Sequence, residues 1–121
     1  MSIALWCVLV AGLLPYLSTV IAKSGVRFDN HNPRDWLARQ DGFRRRANAA
    51  QANGFEAFPL FAAAVVIATI KHAPAPHIDL LATTFVVARV IYLGLYLANL
   101  AMLRSAAWFV GIACVVAIFV A

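Results

Sequence analysis

The chain has 121 residues, of which 64% are hydrophobic and only 12% are charged, and its formal net charge is +5. A soluble domain is about half apolar and about a quarter charged, so this chain lacks the polar surface needed to cover itself in water. The composition excludes a soluble globular protein and predicts an integral membrane protein. Its apolar runs are continuous rather than alternating, which favours transmembrane helices over a β-barrel.

Four apolar runs are long enough to cross a bilayer as helices. A hydrocarbon core of about 30 Å is spanned by about 20 helical residues. We therefore predict an all-α membrane protein with one domain over residues 1–121, arranged as an up-and-down bundle of four transmembrane helices. The predicted helices cover residues 3–22, 33–70 (with residues 50–70 in the membrane), 78–103 and 105–121.

The first apolar run ends in Val20-Ile21-Ala22, which resembles a signal-peptide cleavage site. No Lys or Arg precedes the run, whereas Lys23 and Arg27 follow it, and a secretory signal has the opposite order of charges. We therefore predict a retained first helix, with Pro15 as a bend. Cys7 in this run and Cys114 in the fourth have no metal-ligand spacing, so we interpret both as small buried hydrophobes.

Basic residues are concentrated in residues 23–46, and Arg104 lies in the third loop, whereas the second loop contains only Lys71. The positive-inside rule then predicts that loops one and three are cytoplasmic and that both termini lie on the opposite side. The basic loop is also suited to contact anionic lipid headgroups. Its arginines lack the aromatic interleaving typical of a nucleic-acid surface, so we predict no nucleic-acid partner.

The predicted second helix begins outside the membrane. Asn32-Pro33 has the pattern of an N-cap followed by proline in the first turn, and Asp41-Gly42 is a point where the helix could be interrupted. On the other side, the turn at residues 71–77 contains His72 and His77. We interpret these histidines as exposed loop residues and predict no metal site with Asp79.

Two charged residues lie inside the predicted membrane zone, Glu56 on the second helix and Arg89 on the third. Counted from the outer turn, they lie about 22 Å and about 18 Å along their helices, so their depths are similar. An unpaired charge in lipid is costly, so we predict an ion pair between them, within one chain or between subunits. Its simplest role is to fix helix packing. Helical spacing places Asn53 on the face of Glu56, and Tyr92, Tyr96 and Asn99 on the face of Arg89.

Two spaced motifs lie on these helices: Arg46…Asn53-x-x-Glu56-x-x-Pro59-Leu60-Phe61 and Ala88-Arg89-x-x-Tyr92-x-x-x-Tyr96. Together they resemble the MAPEG family, the membrane-associated proteins of eicosanoid and glutathione metabolism. The resemblance covers nearly the whole chain. It implies a homotrimer of four-helix subunits that binds glutathione at subunit interfaces near the cytoplasmic face.

The resemblance also implies roles for single residues. Asn53 and Glu56 would hydrogen-bond glutathione, with Glu56 at its α-amino group. Arg46 and Gln51 would meet its carboxylates. The wall of the site would include Tyr92, Tyr96 and Arg89, and Arg104 would lie near the sulfur and favour the thiolate. The chain departs from the family pattern in two ways: Ala49 stands where an arginine is usual, and Arg104 lies one residue farther from Tyr96 than in leukotriene-type members.

The function implied is a glutathione-dependent transferase or peroxidase that acts on lipophilic electrophiles or hydroperoxides within the bilayer. One alternative is a non-catalytic protein on the same scaffold that binds a lipid or an anionic thiol compound. A third hypothesis is a small exporter, because four-helix transporters also use one membrane carboxylate. The absence of a glycine-rich packing face and the predicted pairing of Glu56 argue against an exporter.

Overall fold

A computed structural model describes residues 1–121 as an all-helical chain. Its helices are α1 (Ile3–Ala22), α2 (Pro33–Ala38), α3 (Gly42–Ile70), α4 (Ala75–Leu97) and α5 (Ala101–Val120). Four of them, α1, α3, α4 and α5, are long and apolar enough to cross a membrane. The prediction of a multi-pass membrane protein with four spans is therefore confirmed.

The predicted helix over residues 33–70 is two helices, α2 and α3. They are separated where the sequence contains Asp41-Gly42, and Gly42 has a φ of +60°, a left-handed conformation that glycine adopts without steric cost. α2 is only six residues long, with Pro33 in its first turn. The interruption lets α2 turn away from the axis of α3.

The turn between the last two helices differs from the prediction. α4 ends at Leu97 rather than at residue 103, because Asn99 has a φ of +60° and reverses the chain. α5 begins at Ala101, so Arg104 lies in the first turn of a helix and not in a loop. Asn99 lies outside α4 and is exposed, so it does not share a helical face with Arg89.

One apolar core holds the four spans together. Phe61 of α3 and Phe85 of α4 are both buried, and their rings stack in parallel with centroids 4.0 Å apart. Alanines pack around them where the helices approach closely. Cys7 and Cys114 are buried, free thiols in this same core. Small side chains are typical of helix interfaces in membranes, where packing rather than hydrophobicity drives association.

α1 and α3 approach each other closely at one glycine. A methyl group built on Gly54 would lie 2.8 Å from Cγ of Pro15, closer than two carbons can pack. Pro15 has no N–H to donate, and its own carbonyl accepts a 3.1 Å hydrogen bond from the Thr19 hydroxyl. Glycine at position 54 therefore allows α3 to pack directly on the proline ring of α1.

The two ends of the bundle are held by different contacts. At the end that holds residues 23–46, called the basic end below, Arg46 Nε donates to the carbonyl of Leu97 at 3.1 Å. At the opposite end, the Asp79 carboxylate accepts a 2.8 Å hydrogen bond from the Ala4 amide. That bond satisfies a free N–H in the first turn of α1.

Candidate functional site

A cavity of about 180 Å³ opens between α3, α4 and α5 and is called the α3–α5 cavity below. It contains an amide, a carboxylate and a guanidinium, surrounded by apolar side chains. α3 contributes Asn53, Glu56, Ala57 and Leu60, α4 contributes Phe85 and Arg89, and α5 contributes Trp108, Gly111, Ile112 and Val115. The polar residues predicted from the two helices therefore line one cavity.

Asn53 and Glu56 face this cavity because they lie one turn apart on α3. The Oδ1 atom of Asn53 is buried and has no hydrogen-bond partner, and the Glu56 side chain is exposed on the surface of the single chain. A buried acceptor without a donor costs about 1–3 kcal/mol. The pair is therefore suited to accept hydrogen bonds from a ligand or from a second copy of the chain.

Arg89 lines the same cavity as Glu56, but no ion pair of 4.0 Å or less joins them within the chain. Of the two alternatives, the ion pair within one chain is therefore wrong, and the ion pair between subunits stays a prediction. The Arg89 guanidinium lies instead over the ring of Tyr92, 4.2 Å from its centroid. The reason is local: Tyr92 is one turn away on the same helix, and its ring face attracts the cation.

A second cavity, the α4–α5 cavity, has a volume of about 210 Å³ and lies toward the basic end. The rings of Tyr92 and Tyr96 meet edge to face at 5.6 Å, and the Arg104 guanidinium lies over Tyr96 at 4.3 Å. A continuous series of cation–ring and ring–ring contacts therefore joins Arg89, Tyr92, Tyr96 and Arg104. The cavity is lined by Tyr92, Tyr96, Arg104, Ser105, Trp108 and Phe109.

Trp108 lines both cavities, so the two adjoin across its indole ring. Neither Trp108 nor Ser105 was predicted from the sequence as a residue of the site. The available signal was the spacing of Arg104, Trp108 and Gly111 on one face of α5. That face had no predicted partner because the register between α4 and α5 was unknown.

Two predicted binding residues lie elsewhere. Arg46 is held at the carbonyl of Leu97, at the end of α4, and lines neither cavity. Gln51 also lies outside both cavities, and its Oε1 atom is buried without a partner. Both residues are on α3 toward the basic end, beyond Asn53. Within one chain, the structure therefore brings together Asn53, Glu56, Arg89, Tyr92, Tyr96 and Arg104 but not Arg46 or Gln51.

The sequence was compared with protein-family models, with curated proteins and with solved structures. Curated proteins and solved structures gave no match. The model described as "MAPEG family" matches residues 3–121, which is all but the first two residues. The match includes every helix that lines the two cavities, and it agrees with the resemblance of the motifs on α3 and α4. This chain belongs to the MAPEG family.

Proposed function

We propose that this protein is a membrane-bound, glutathione-dependent transferase or peroxidase that acts on lipophilic electrophiles or hydroperoxides. Membership of the family suggests a membrane function related to glutathione or eicosanoids. The observation that carries the proposal is the pair of adjoining cavities. One contains the acceptors Asn53 and Glu56, and the other contains Arg104 beside two tyrosines.

The chemistry of these residues fits glutathione. The tripeptide has an α-amino cation, peptide N–H groups, two carboxylates and a thiol. Glu56 would accept from the α-amino group, and the unpartnered Oδ1 of Asn53 would accept from an N–H. Arg89 and the hydroxyls of Tyr92 and Tyr96 would donate to carbonyl or carboxylate oxygens.

The remaining carboxylate would be bound toward the basic end. Arg46 uses Nε on the carbonyl of Leu97, so its two terminal nitrogens are free to meet a carboxylate. Gln51, with a buried acceptor that lacks a partner, would turn its amide group toward the same ligand. We propose that these two residues complete the site across the interface of a homotrimer, because they line neither cavity of their own chain.

Arg104 would stabilise the reactive form of the thiol. The thiolate is the nucleophile, and a free thiol has a pKa of about 8.5. Stacking on Tyr96 holds the Arg104 guanidinium in place, where its positive charge favours the anion. With an electrophile, the sulfur would form a C–S bond while the leaving group or opened ring takes the electron pair. With a hydroperoxide, two thiols would give one disulfide, an alcohol and water.

The second substrate would enter from the bilayer. The other walls of the α3–α5 cavity are apolar, including Leu60, Phe85 and Ile112, and they belong to membrane-spanning helices. A lipophilic molecule dissolved in the bilayer could reach this cavity without crossing water. The polar and apolar walls thus suit two substrates of opposite character.

Titration of the purified protein in detergent with glutathione tests the proposal. We expect thermal stabilisation together with ultraviolet absorbance of the bound thiolate, and turnover of chlorodinitrobenzene or cumene hydroperoxide. S-methylglutathione is the matched control, since it should stabilise the protein without the thiolate signal. Stabilisation without turnover would favour the non-catalytic alternative, and no response to either ligand would contradict the proposal.

A further inference from the structure

The segment between α1 and α3 is folded against the basic end of the bundle. Trp36 and Leu37 of α2 are buried and share a cluster with Ala22 and Ala47, at the end of α1 and the start of α3. The Trp36 indole donates a 3.1 Å hydrogen bond to the carbonyl of Arg27. α2 therefore packs on the bundle through Trp36 and Leu37, and its opposite face points away from the bundle.

The exposed face of this segment is basic. Several cations of the segment are engaged: Lys23 lies over the ring of Phe28, and Arg44 donates to the carbonyl of Ser24. Four other arginines are exposed, and their side chains make no hydrogen bond within the chain. This set, called the basic surface below, consists of Arg27, Arg34, Arg39 and Arg45.

The nearby carboxylates leave the basic surface uncompensated. Asp29 accepts hydrogen bonds from the His31 amide and the Asn32 side chain, so it is used within its own turn. Asp35 and Asp41 are exposed, and no ion pair of 4.0 Å or less joins them to the arginines. Four guanidinium groups against these two exposed carboxylates leave a positive field at this end.

Apolar side chains are exposed beside these charges. Val26 is 48% exposed and Phe43 is 39% exposed, and the guanidinium of Arg44 lies 4.5 Å from the centroid of the Phe43 ring. The segment contacts the ends of the spanning helices, where headgroups and acyl chains meet. Arginines together with apolar side chains at that depth are typical of surfaces that bind anionic membranes.

We propose that the basic surface binds the phosphate groups of anionic lipids in the leaflet at the basic end, with Val26 and Phe43 inserted among the acyl chains. Guanidinium groups bind phosphate in a bidentate manner, which favours arginine over lysine at such a site. At the opposite end the only lysine or arginine is Lys71, whose ammonium donates to the carbonyl of Phe119. The proposal does not depend on glutathione binding.

The test is to reconstitute the protein in mixed phosphatidylcholine and phosphatidylglycerol, extract it gently, and measure the retained lipids by mass spectrometry. We expect the wild type to be enriched in phosphatidylglycerol and the variant R27Q/R34Q/R39Q/R45Q to lose that enrichment. One arginine near an anionic surface contributes about a fivefold change in binding. The matched variant D35N/D41N should increase the enrichment, and Lys71→Gln should leave it unchanged.

If the variant with four substitutions does not fold, the milder variant R34Q/R39Q replaces it in the experiment. Both of its changes lie on α2 or at its C-terminal end, and it should lose part of the enrichment. Enrichment that survives in folded variants would overturn the proposal. So would binding of inorganic phosphate at matched ionic strength with no enrichment of phosphatidylglycerol, because the surface would then bind a free anion rather than a lipid headgroup.

Discussion

The two sides of α3 differ in how they meet their neighbours. Toward α1, the contact is tight: Gly54 lies against Pro15, and a methyl group on Gly12 would lie 3.2 Å from the ring of Phe58. Toward α5, the same helix presents Asn53 and Glu56 to an open cavity. Small residues let helices pack closely in a membrane, whereas polar residues in that environment are costly and indicate function. One face of α3 packs against α1, and the other presents polar side chains to a cavity.

The largest effect is expected from a substitution on the side of α3 that packs against α1, where it should lower stability. Gly54→Leu would place a side chain where even a methyl group meets the ring of Pro15 at 2.8 Å, so α1 and α3 must separate. We expect the free energy of unfolding to fall by about 3 kcal/mol, measured by thermal or denaturant unfolding in detergent. Gly94→Leu is the matched control, because nothing lies within 4 Å of a methyl group there. Equal stability of the two variants would contradict the close approach of α1 and α3.

On the open side, Glu56→Gln should weaken ligand binding without unfolding the protein. The change removes the negative charge that would bind the α-amino group of glutathione. Hydrogen bonds to charged groups contribute about 1.5–3 kcal/mol, so we expect about a tenfold to a hundredfold rise in Kd. Calorimetric titration measures the affinity, and thermal unfolding without ligand serves as the control. Unchanged affinity, or a large loss of stability, would contradict the division between the two sides of α3.

Arg104→Gln should alter the chemistry more than the binding. In the proposed role the guanidinium would favour the anion, so the pKa of bound glutathione should lie below about 8.5 in the wild type and rise toward that value in the variant. The thiolate and its reactivity should therefore be retained to lower pH in the wild type than in the variant. Thiolate absorbance as a function of pH measures this shift. Identical titrations in both proteins would exclude Arg104 from this role.

The smallest effect is expected from removing a contact at the end of α4, which should lower stability only slightly. Arg46→Gln removes the hydrogen bond to the carbonyl of Leu97, which is partly exposed to water, so we expect a loss of about 1 kcal/mol in stability. Arg45→Gln is the matched control because the Arg45 side chain is exposed and makes no hydrogen bond. A difference between the two variants in thermal unfolding would support the contact, and equal stability would argue against it.

Part of the candidate site followed from spacing within single helices. Asn53 and Glu56 lie three residues apart, and Arg89, Tyr92 and Tyr96 follow at three and four, so each set had to share a face. Between helices, spacing was insufficient. Similar depth predicted an ion pair of Glu56 with Arg89, but within one chain Arg89 lies over Tyr92 instead. The depth of a side chain in the membrane is only one of its coordinates. Contact between two side chains also depends on how each helix is oriented about its own axis.

The sequence by itself determined the membrane class, the four spans, the basic end and the family, because hydropathy, charge and motif spacing are properties of single segments. The tertiary structure decided the end of α4 at Leu97, the position of Arg104 in a helix and the place of Trp108 between two cavities. It also decided that the carboxylate of Asp79 accepts a hydrogen bond from the Ala4 amide at the start of α1. These features depend on contacts between residues far apart in the chain, and such contacts exist only once the helices have packed.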